Sequence, residues 1–196
     1  SDVGLGKSTI AKLGYGLTDS TTISASTQKI WINNEPLSYI AATIDTQFIG
    51  SALNASITKQ KDRGIGAFLG WSGRIDSNLA FNFTHSQLND FSSQRFDETR
   101  GLESETALRF NGRTTLGNRL GWNANLSRRT FSNRDDQNII SLALNDTFLG
   151  GTASGGLTYT DNQQSSLLGR LYYSKLIEGW QVASSWDFKP SEHFDT

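Results

Sequence analysis

The chain contains no cysteine, which excludes a disulfide framework, a thiolate metal site and a cysteine nucleophile. It also lacks any run of about 18 apolar residues, so an ordinary membrane-spanning helix is excluded. Barrel strands escape that exclusion: they need only about 9–11 residues and expose apolar side chains on one face. Neither sign of charge dominates, with 18 Lys plus Arg against 19 Asp plus Glu and a formal net charge of −1. This balance argues against a dominant polyanion-binding surface, and no nucleic-acid partner is expected. The opening SDVGLGKST lacks the charged and apolar regions of a signal peptide. The expectation is a mature chain or one cut from something longer. No segment carries a helical period.

What the sequence does have is alternation. Leu13–Ser26, LGYGLTDSTTISAS, sets Leu13, Tyr15 and Leu17 against Lys12, Gly14 and Gly16, turns at Thr18-Asp19-Ser20, and alternates again through Ile23, Ala25 and Thr27. This is the pattern of a β-hairpin, with β-branched residues in the strands and short polar side chains at the turn. Apolar residues make up only 36% of the chain, yet aromatics reach 11%. The apolar material is bulky and rationed to particular positions.

The same grammar returns along the chain. Ile30-Trp31 closes the second strand, and 32–37, with Asn33, Asn34 and Pro36, reads as a longer loop. A third strand over about 38–48 puts Ile40, Ala42, Ile44 and Phe48 opposite Tyr39, Thr43, Asp45 and Gln47. A fourth puts Leu53, Ala55 and Ile57 opposite Asn54, Ser56, Thr58 and Gln60. In the fifth, Ile65, Ala67, Leu69 and Trp71 alternate with Gly66, Gly70 and Arg74, but Phe68 breaks the pattern. Leu79, Phe81 and Phe83 mark a sixth strand, before a polar connection over about 90–104. Leu108, Phe110 and Leu116 mark the seventh, and Leu120, Trp122, Ala124 and Leu126 the eighth. Ile140, Leu142, Leu144 and Phe148 follow, then a short tenth strand around Leu157 and Tyr159. Leu167, Leu171 and Tyr173 belong to an eleventh, and Trp180, Val182, Trp186 and Phe188 to a twelfth.

The expected fold is therefore all-β, an antiparallel meander of about twelve strands. Residues 1–196 form one transmembrane β-barrel domain or barrel portion, with irregular ends at 1–8 and 189–196. Odd-numbered connections (near 18–20, 49–51, 76–78, 117–118, 150–152 and 177–179) read as tight, whereas 32–37, 90–104, 133–137 and 161–165 read as longer. Tight turns at one rim and loops at the other are expected of a bacterial outer-membrane barrel. That arrangement puts both chain ends at the loop rim, where a complete bacterial barrel usually has them at the other. The expectation is a portion of a larger barrel, completed by further strands.

Two sets of side chains follow from this reading. Lys12, Asp45, Arg74, Arg109, Arg113, Arg129, Arg170 and Asp187 lie on the polar faces and are the lumen-lining candidates. Arg109, Arg113 and Arg129 would form either a positive patch or a ladder of ion pairs with lumen acids. Trp31, Phe48, Trp71, Phe131, Phe148, Trp180 and Phe188 recur near strand ends, as an aromatic girdle at the bilayer interfaces requires.

The stretches YGLTDSTTISAS (15–26), IGSALNASITKQ (49–60) and NLAFNFTHSQLND (78–90) resemble the barrel of fimbrial ushers. In that family a strand ending in a YGLTD-type turn recurs, and the likeness covers roughly residues 9–90. The resemblance implies a conduit for pilus subunits across the outer membrane. It also implies about half of a barrel, without the plug and the periplasmic and C-terminal domains of that family.

Other motifs carry less. GLGKST lacks the first glycine and preceding strand of a phosphate loop. His85 suits an interfacial side chain; the competing reading is the histidine of a Ser-His hydrolase. Asp135-Asp136 and the acids of 90–104 have no fixed calcium-ligand spacing. Four Asn-X-Ser/Thr triplets fall inside expected strands. The reading is a passive outer-membrane pore and not an enzyme, with no cofactor or metal. Its partners are the lipid bilayer and either pilus subunits or, for a complete twelve-stranded channel, small solutes.

Overall fold

The computed structural model describes residues 8–32, 35–91, 101–114, 120–162 and 165–189. Among them are twelve strands and no helix. The strands are β1 (Ser8–Thr18), β2 (Thr21–Ile32), β3 (Glu35–Phe48), β4 (Ser51–Gln60), β5 (Ile65–Arg74) and β6 (Leu79–Asn89). β7 (Leu102–Arg113), β8 (Gly121–Phe131), β9 (Gln137–Phe148), β10 (Gly151–Asp161), β11 (Ser166–Ile177) and β12 (Trp180–Phe188) follow. They are hydrogen-bonded in chain order as an antiparallel meander. The expected meander is present. The expected closure is not: β1 and β12 are the two ends of the hydrogen-bonded order, and every residue of both is exposed.

The tightest turns follow from local backbone chemistry. Leu149-Gly150 and Glu178-Gly179 each place two successive residues at positive φ (49° and 73°, 48° and 86°). Two-residue turns of this kind match the right-handed twist of the strands they join, and glycine is the residue that tolerates the second position best.

Several boundaries differ from the sequence reading. The loop expected over 32–37 is largely ladder, because Ile30 pairs with Leu37, Trp31 with Pro36 and Ile32 with Glu35. Pro36 is the second residue of its strand, where a missing N–H is tolerated. That leaves only 33–34, outside the described residues, between the strands. β10 runs for 11 residues and is not short. Its Gly151, Gly155 and Gly156 read locally as breakers, but it pairs along its length with both β9 and β11. β7 begins at Leu102, so the polar connection is 90–101; its 92–100 lie outside the described residues, as do the expected Gly117-Asn118 turn, Leu116 and most of GLGKST. Ser8, expected in an irregular end, opens β1. The contrast between rims thus narrows: 33–34 is as short as the turns 19–20 and 49–50, and β7 and β8 are joined by all of 114–120.

The chain divides into two compact units. The first comprises Ser1–Ser72, Phe83–Thr106 and Thr130–Arg134, and the second Gly73–Asn82, Ala107–Arg129 and Asp135–Thr196. The first has a small apolar core of Ile30, Tyr39, Leu88 and Phe91, with Leu37, Phe68 and Leu102 packed against it. Phe91 makes edge-on ring contacts with both Tyr39 and Phe68. This explains the broken alternation in β5: Phe68 points away from Leu69 and Trp71 and into this cluster. Gly66, two residues earlier, leaves room for both rings, since a Cβ there would stand 3.0–3.1 Å from Phe68 and Phe91 atoms. In the second unit, among the described residues, the buried positions are Gly121, Gly151 and Gly169.

Candidate functional site

Residues directly opposite in an antiparallel ladder project to the same face, so the registers define two faces in each unit. In the first unit, Leu13 pairs with Ala25, Ala25 with Ala42 and Ala42 with Ile57; one step along, Tyr15 pairs with Ile23, Ile23 with Ile44 and Ile44 with Ala55. This apolar face is outward: Leu13 is 79% exposed, Tyr15 72% and Ile57 60%. The opposite face runs Gly14–Ser24–Thr43–Ser56 and Lys12–Ser26–Ala41–Thr58. It is the enclosed one, and its buried side chains include Ser24 (3% exposed) and Gln60 (0%). In water, burial follows hydrophobicity. Here a face of aliphatic side chains is exposed, while the enclosed face holds polar Ser24 and Gln60 beside the apolar cluster of Ile30 and Tyr39.

The second unit repeats the arrangement. Leu126 pairs with Ile140, Ala124 with Leu142, Leu142 with Leu157, Leu171 with Trp186 and Ile177 with Trp180. Leu126, Ile140, Leu142, Leu157, Leu171, Trp186 and Trp180 are all exposed. The other face carries Asn123, Asn125, Ser127 and Arg129 of β8, opposite Ala143, Ser141, Ile139 and Gln137 of β9.

The lumen-lining candidates fall on these polar faces. In the first unit, Lys12 and Asp45 share one face; Asp45 accepts a hydrogen bond from Asn54 Nδ2. In the second, Arg170 and Asp187 are directly opposite and form a two-pronged ion pair, Nε to Oδ1 at 2.7 Å and Nη2 to Oδ2 at 3.0 Å. By register they share a face with Arg129. Asn123 Nδ2 donates to Asn111 Oδ1, which brings the β7 positions Arg109, Asn111 and Arg113 to that face as well. Arg74 and Arg113 line a concavity of about 350 Å³ with Asp76, Asn78 and Asn111. Among the described residues no ion pair involves Arg74, Arg109 or Arg113. Of the arginines between which the sequence left a positive patch or an ion-pair ladder open, Arg109 and Arg113 make no ion pair among the described residues; the one described pair on this face joins Arg170 and Asp187.

The girdle candidates divide. Trp180 and Phe188, at the two ends of β12, are exposed on the apolar face opposite Ile177 and Gly169. Phe48 and Trp71 are exposed near strand ends, and Trp31 shares its face with Ile23 and Ala25. Phe131 stands on Arg129's side of β8, with the Arg134 guanidinium 3.7 Å from its ring centroid. The side chain of Phe148 is outside the described residues.

An apolar concavity of about 410 Å³ opens in the first unit between Ile23, Ala42, Ile44, Ala55, Ile57 and Leu69, with His85 among its lining residues. His85 Nδ1 lies 2.8 Å from Thr106 Oγ1. The neighbouring Ser86 hydroxyl is directed to the Glu105 carbonyl. Asp136 pairs with Arg128, and the described residues contain no group of three metal-binding side chains. His193 lies outside them.

Sequence reasoning missed Phe91, which lay in a stretch read as polar connection, and the lysines Lys29, Lys59 and Lys61. The one signal for the first was the misplaced Phe68; for the lysines it was their recurrence near the same ends of β2 and β4. No described helix is long and apolar enough to cross a membrane, a statement that says nothing of strands. No family model matches this chain, and neither a curated protein nor a solved structure matches it.

Proposed function

We propose that the chain is part of the transmembrane β-barrel of a bacterial outer-membrane pore of fimbrial usher type, a passive conduit for pilus subunits and not an enzyme. The observation that carries the membrane part is the exposed aliphatic face, present in both units and backed in the first by a face with buried polar side chains. In water such a surface would drive association, whereas hydrocarbon is its natural solvent. Trp180 and Phe188 span roughly 27 Å of β12 at about 3.4 Å per residue, which at the usual tilt of barrel strands rises about 20 Å, most of an apolar band about 25 Å tall.

Two exposed edges, β1 and β12, support a portion of a larger barrel. A bilayer cannot hydrogen-bond open strand edges, so within it they must pair. The likeness of 15–26, 49–60 and 78–90 to usher strands gives the pore type. A second reading, a complete twelve-stranded channel for small solutes, draws on the even number of strands in unbroken order.

Reconstitution into a planar lipid bilayer tests these readings. A wide, unselective conductance, or no closed pore without additional strands, is expected of the usher portion. A narrow, ion-selective conductance would favour the solute channel. A protein that stays monomeric and soluble without detergent would defeat the membrane reading, and lipase activity lost on His85→Ala would defeat the passive one.

A further inference from the structure

We propose that the loop end of the apolar face in the first unit binds the phosphate of an anionic lipid, held between Lys29 and Lys61 over Ser38; this rests on the membrane reading above. Lys29 is directly opposite Ser38 in the β2–β3 ladder. On the other side, the Lys61 N–H bonds the Ser38 carbonyl at 2.9 Å, extending the β3–β4 ladder one residue beyond Tyr39 and Gln60. The result is a row, Lys29–Ser38–Lys61, across three strand positions. With strands about 4.8 Å apart, the two lysine Cβ atoms stand about 10 Å from each other. Flexible four-carbon stems bring both ammonium groups to a tetrahedral anion above the serine hydroxyl.

The rows on either side fit a lipid and not an isolated anion. One step toward the loop end is Trp31, opposite Pro36, with Lys29 Nζ 5.1 Å from the indole centroid. One step the other way, Lys59 is opposite Ile40. Beyond it lie Leu13, Ala25, Ala42 and Ile57, the exposed aliphatic sheet. The lysine row thus lies between Trp31, an aromatic at the headgroup level, and the exposed aliphatic sheet suited to acyl chains. Both acids of β1 to β4, Glu35 and Asp45, fall in the register of the opposite face, and Asp62 follows Lys61 in the turn beyond the ladder. Lys29, Lys59 and Lys61 are exposed and make no ion pair among the described residues. At the other end of the face, Thr46, Phe48 and Leu53 offer no cation. The charge is therefore confined to one end, suited to one leaflet.

The test uses the whole chain in a neutral detergent, with phosphatidylglycerol and phosphatidylcholine of identical acyl chains added to the micelles and retained lipid counted by native mass spectrometry. The wild-type chain should retain the anionic lipid preferentially. A lysine near an anionic lipid surface contributes roughly five-fold, so K29Q/K61Q should lower the preference on the order of 25-fold. Lys12→Gln, on the opposite face, should leave it unchanged, and the single variant K61Q should give an intermediate value if the double variant misfolds. Equal retention of both lipids by the wild type, or an unchanged ratio in the lysine variants, overturns the inference while leaving the membrane reading intact. Displacement of the anionic lipid by an equal concentration of inorganic phosphate overturns its assignment to a lipid. Failure to retain either lipid, with solubility in the absence of detergent, overturns the membrane reading and the inference together.

Discussion

Phe68 and Phe91 meet edge to face, with ring centroids 6.0 Å apart and planes at 67°. One belongs to β5 and the other follows β6 by two residues, so the contact seats the chain just after β6 on the enclosed face of the first unit. Phe91 also meets Tyr39 at 5.7 Å, which makes it the centre of that unit's small apolar core. Phe91→Ala should destabilise the folded chain by about 3–5 kcal/mol, the cost of removing a buried phenyl group from a core that cannot fully collapse. Urea unfolding in detergent micelles, followed by circular dichroism, measures this. A loss under about 1 kcal/mol would mean that Phe91 is not part of a packed core.

Glycines opposite aromatic rings form a second kind of anchor. Gly169 is directly opposite Phe188, and a Cβ on Gly169 would fall within the phenyl ring; a Cβ on Gly112 would likewise fall within the Trp122 indole. The ring lies across the bare backbone of the neighbouring strand and shields it. Gly169→Ala should therefore displace Phe188 and cost about 1–3 kcal/mol as an overpacked site. Gly70→Ala is the comparison, because nothing lies within 4 Å of a Cβ there. Equal unfolding midpoints for the two variants would refute the ring-over-glycine account.

These two contacts also mark what local sequence can convey. Alternation identified the opposed faces of β1, β3 and β4 because each side chain's orientation follows from its position in its own strand. It also flagged Phe68 as misplaced, but it had no way to supply Phe91, whose role depends on contacts with Tyr39 and Phe68, far from it in sequence. The breaks that were misread share one cause. Asn33, Asn34 and Pro36 are turn formers locally, and Gly151, Gly155 and Gly156 are poor strand formers locally, yet both stretches are flanked by partners whose ladders continue through or up to them. The row of Lys29, Ser38 and Lys61 was equally hidden, since those residues become neighbours only once two registers are known.

The Arg170–Asp187 pair leads to an electrical prediction. It lies on the polar face that also carries Arg109 and Arg113, neither of which has an ion-pair partner among the described residues. Asp187→Asn removes the carboxylate and leaves Arg170 uncompensated. If that face lines a pore, the reversal potential in a salt gradient should shift toward anion selectivity, and the exchanged pair R170D/D187R should return it to the wild-type value. Folding should hardly change, because both partners are exposed and such pairs add little. An unaltered reversal potential in Asp187→Asn would remove this face from the conduction path.

The sharpest test of the exposed apolar face uses Ile57, which is 60% exposed and opposite Ala42, within the aliphatic sheet and below Lys59. On a water-facing surface, Ile57→Lys is an ordinary exchange and should change stability by no more than about 0.5 kcal/mol. On a bilayer-facing strand the ammonium must enter hydrocarbon or reach its edge, at a cost of roughly 2–4 kcal/mol near the midplane. Ser56→Lys, on the neighbouring position and the opposite face, controls for the strand itself. Folding into lipid vesicles, titrated with urea, should show a large loss for Ile57→Lys and a smaller one for Ser56→Lys. The reverse order would place the polar face against lipid. It would contradict the assignment of the exposed aliphatic face to lipid, on which the membrane reading rests, whatever the conductance of the assembled pore.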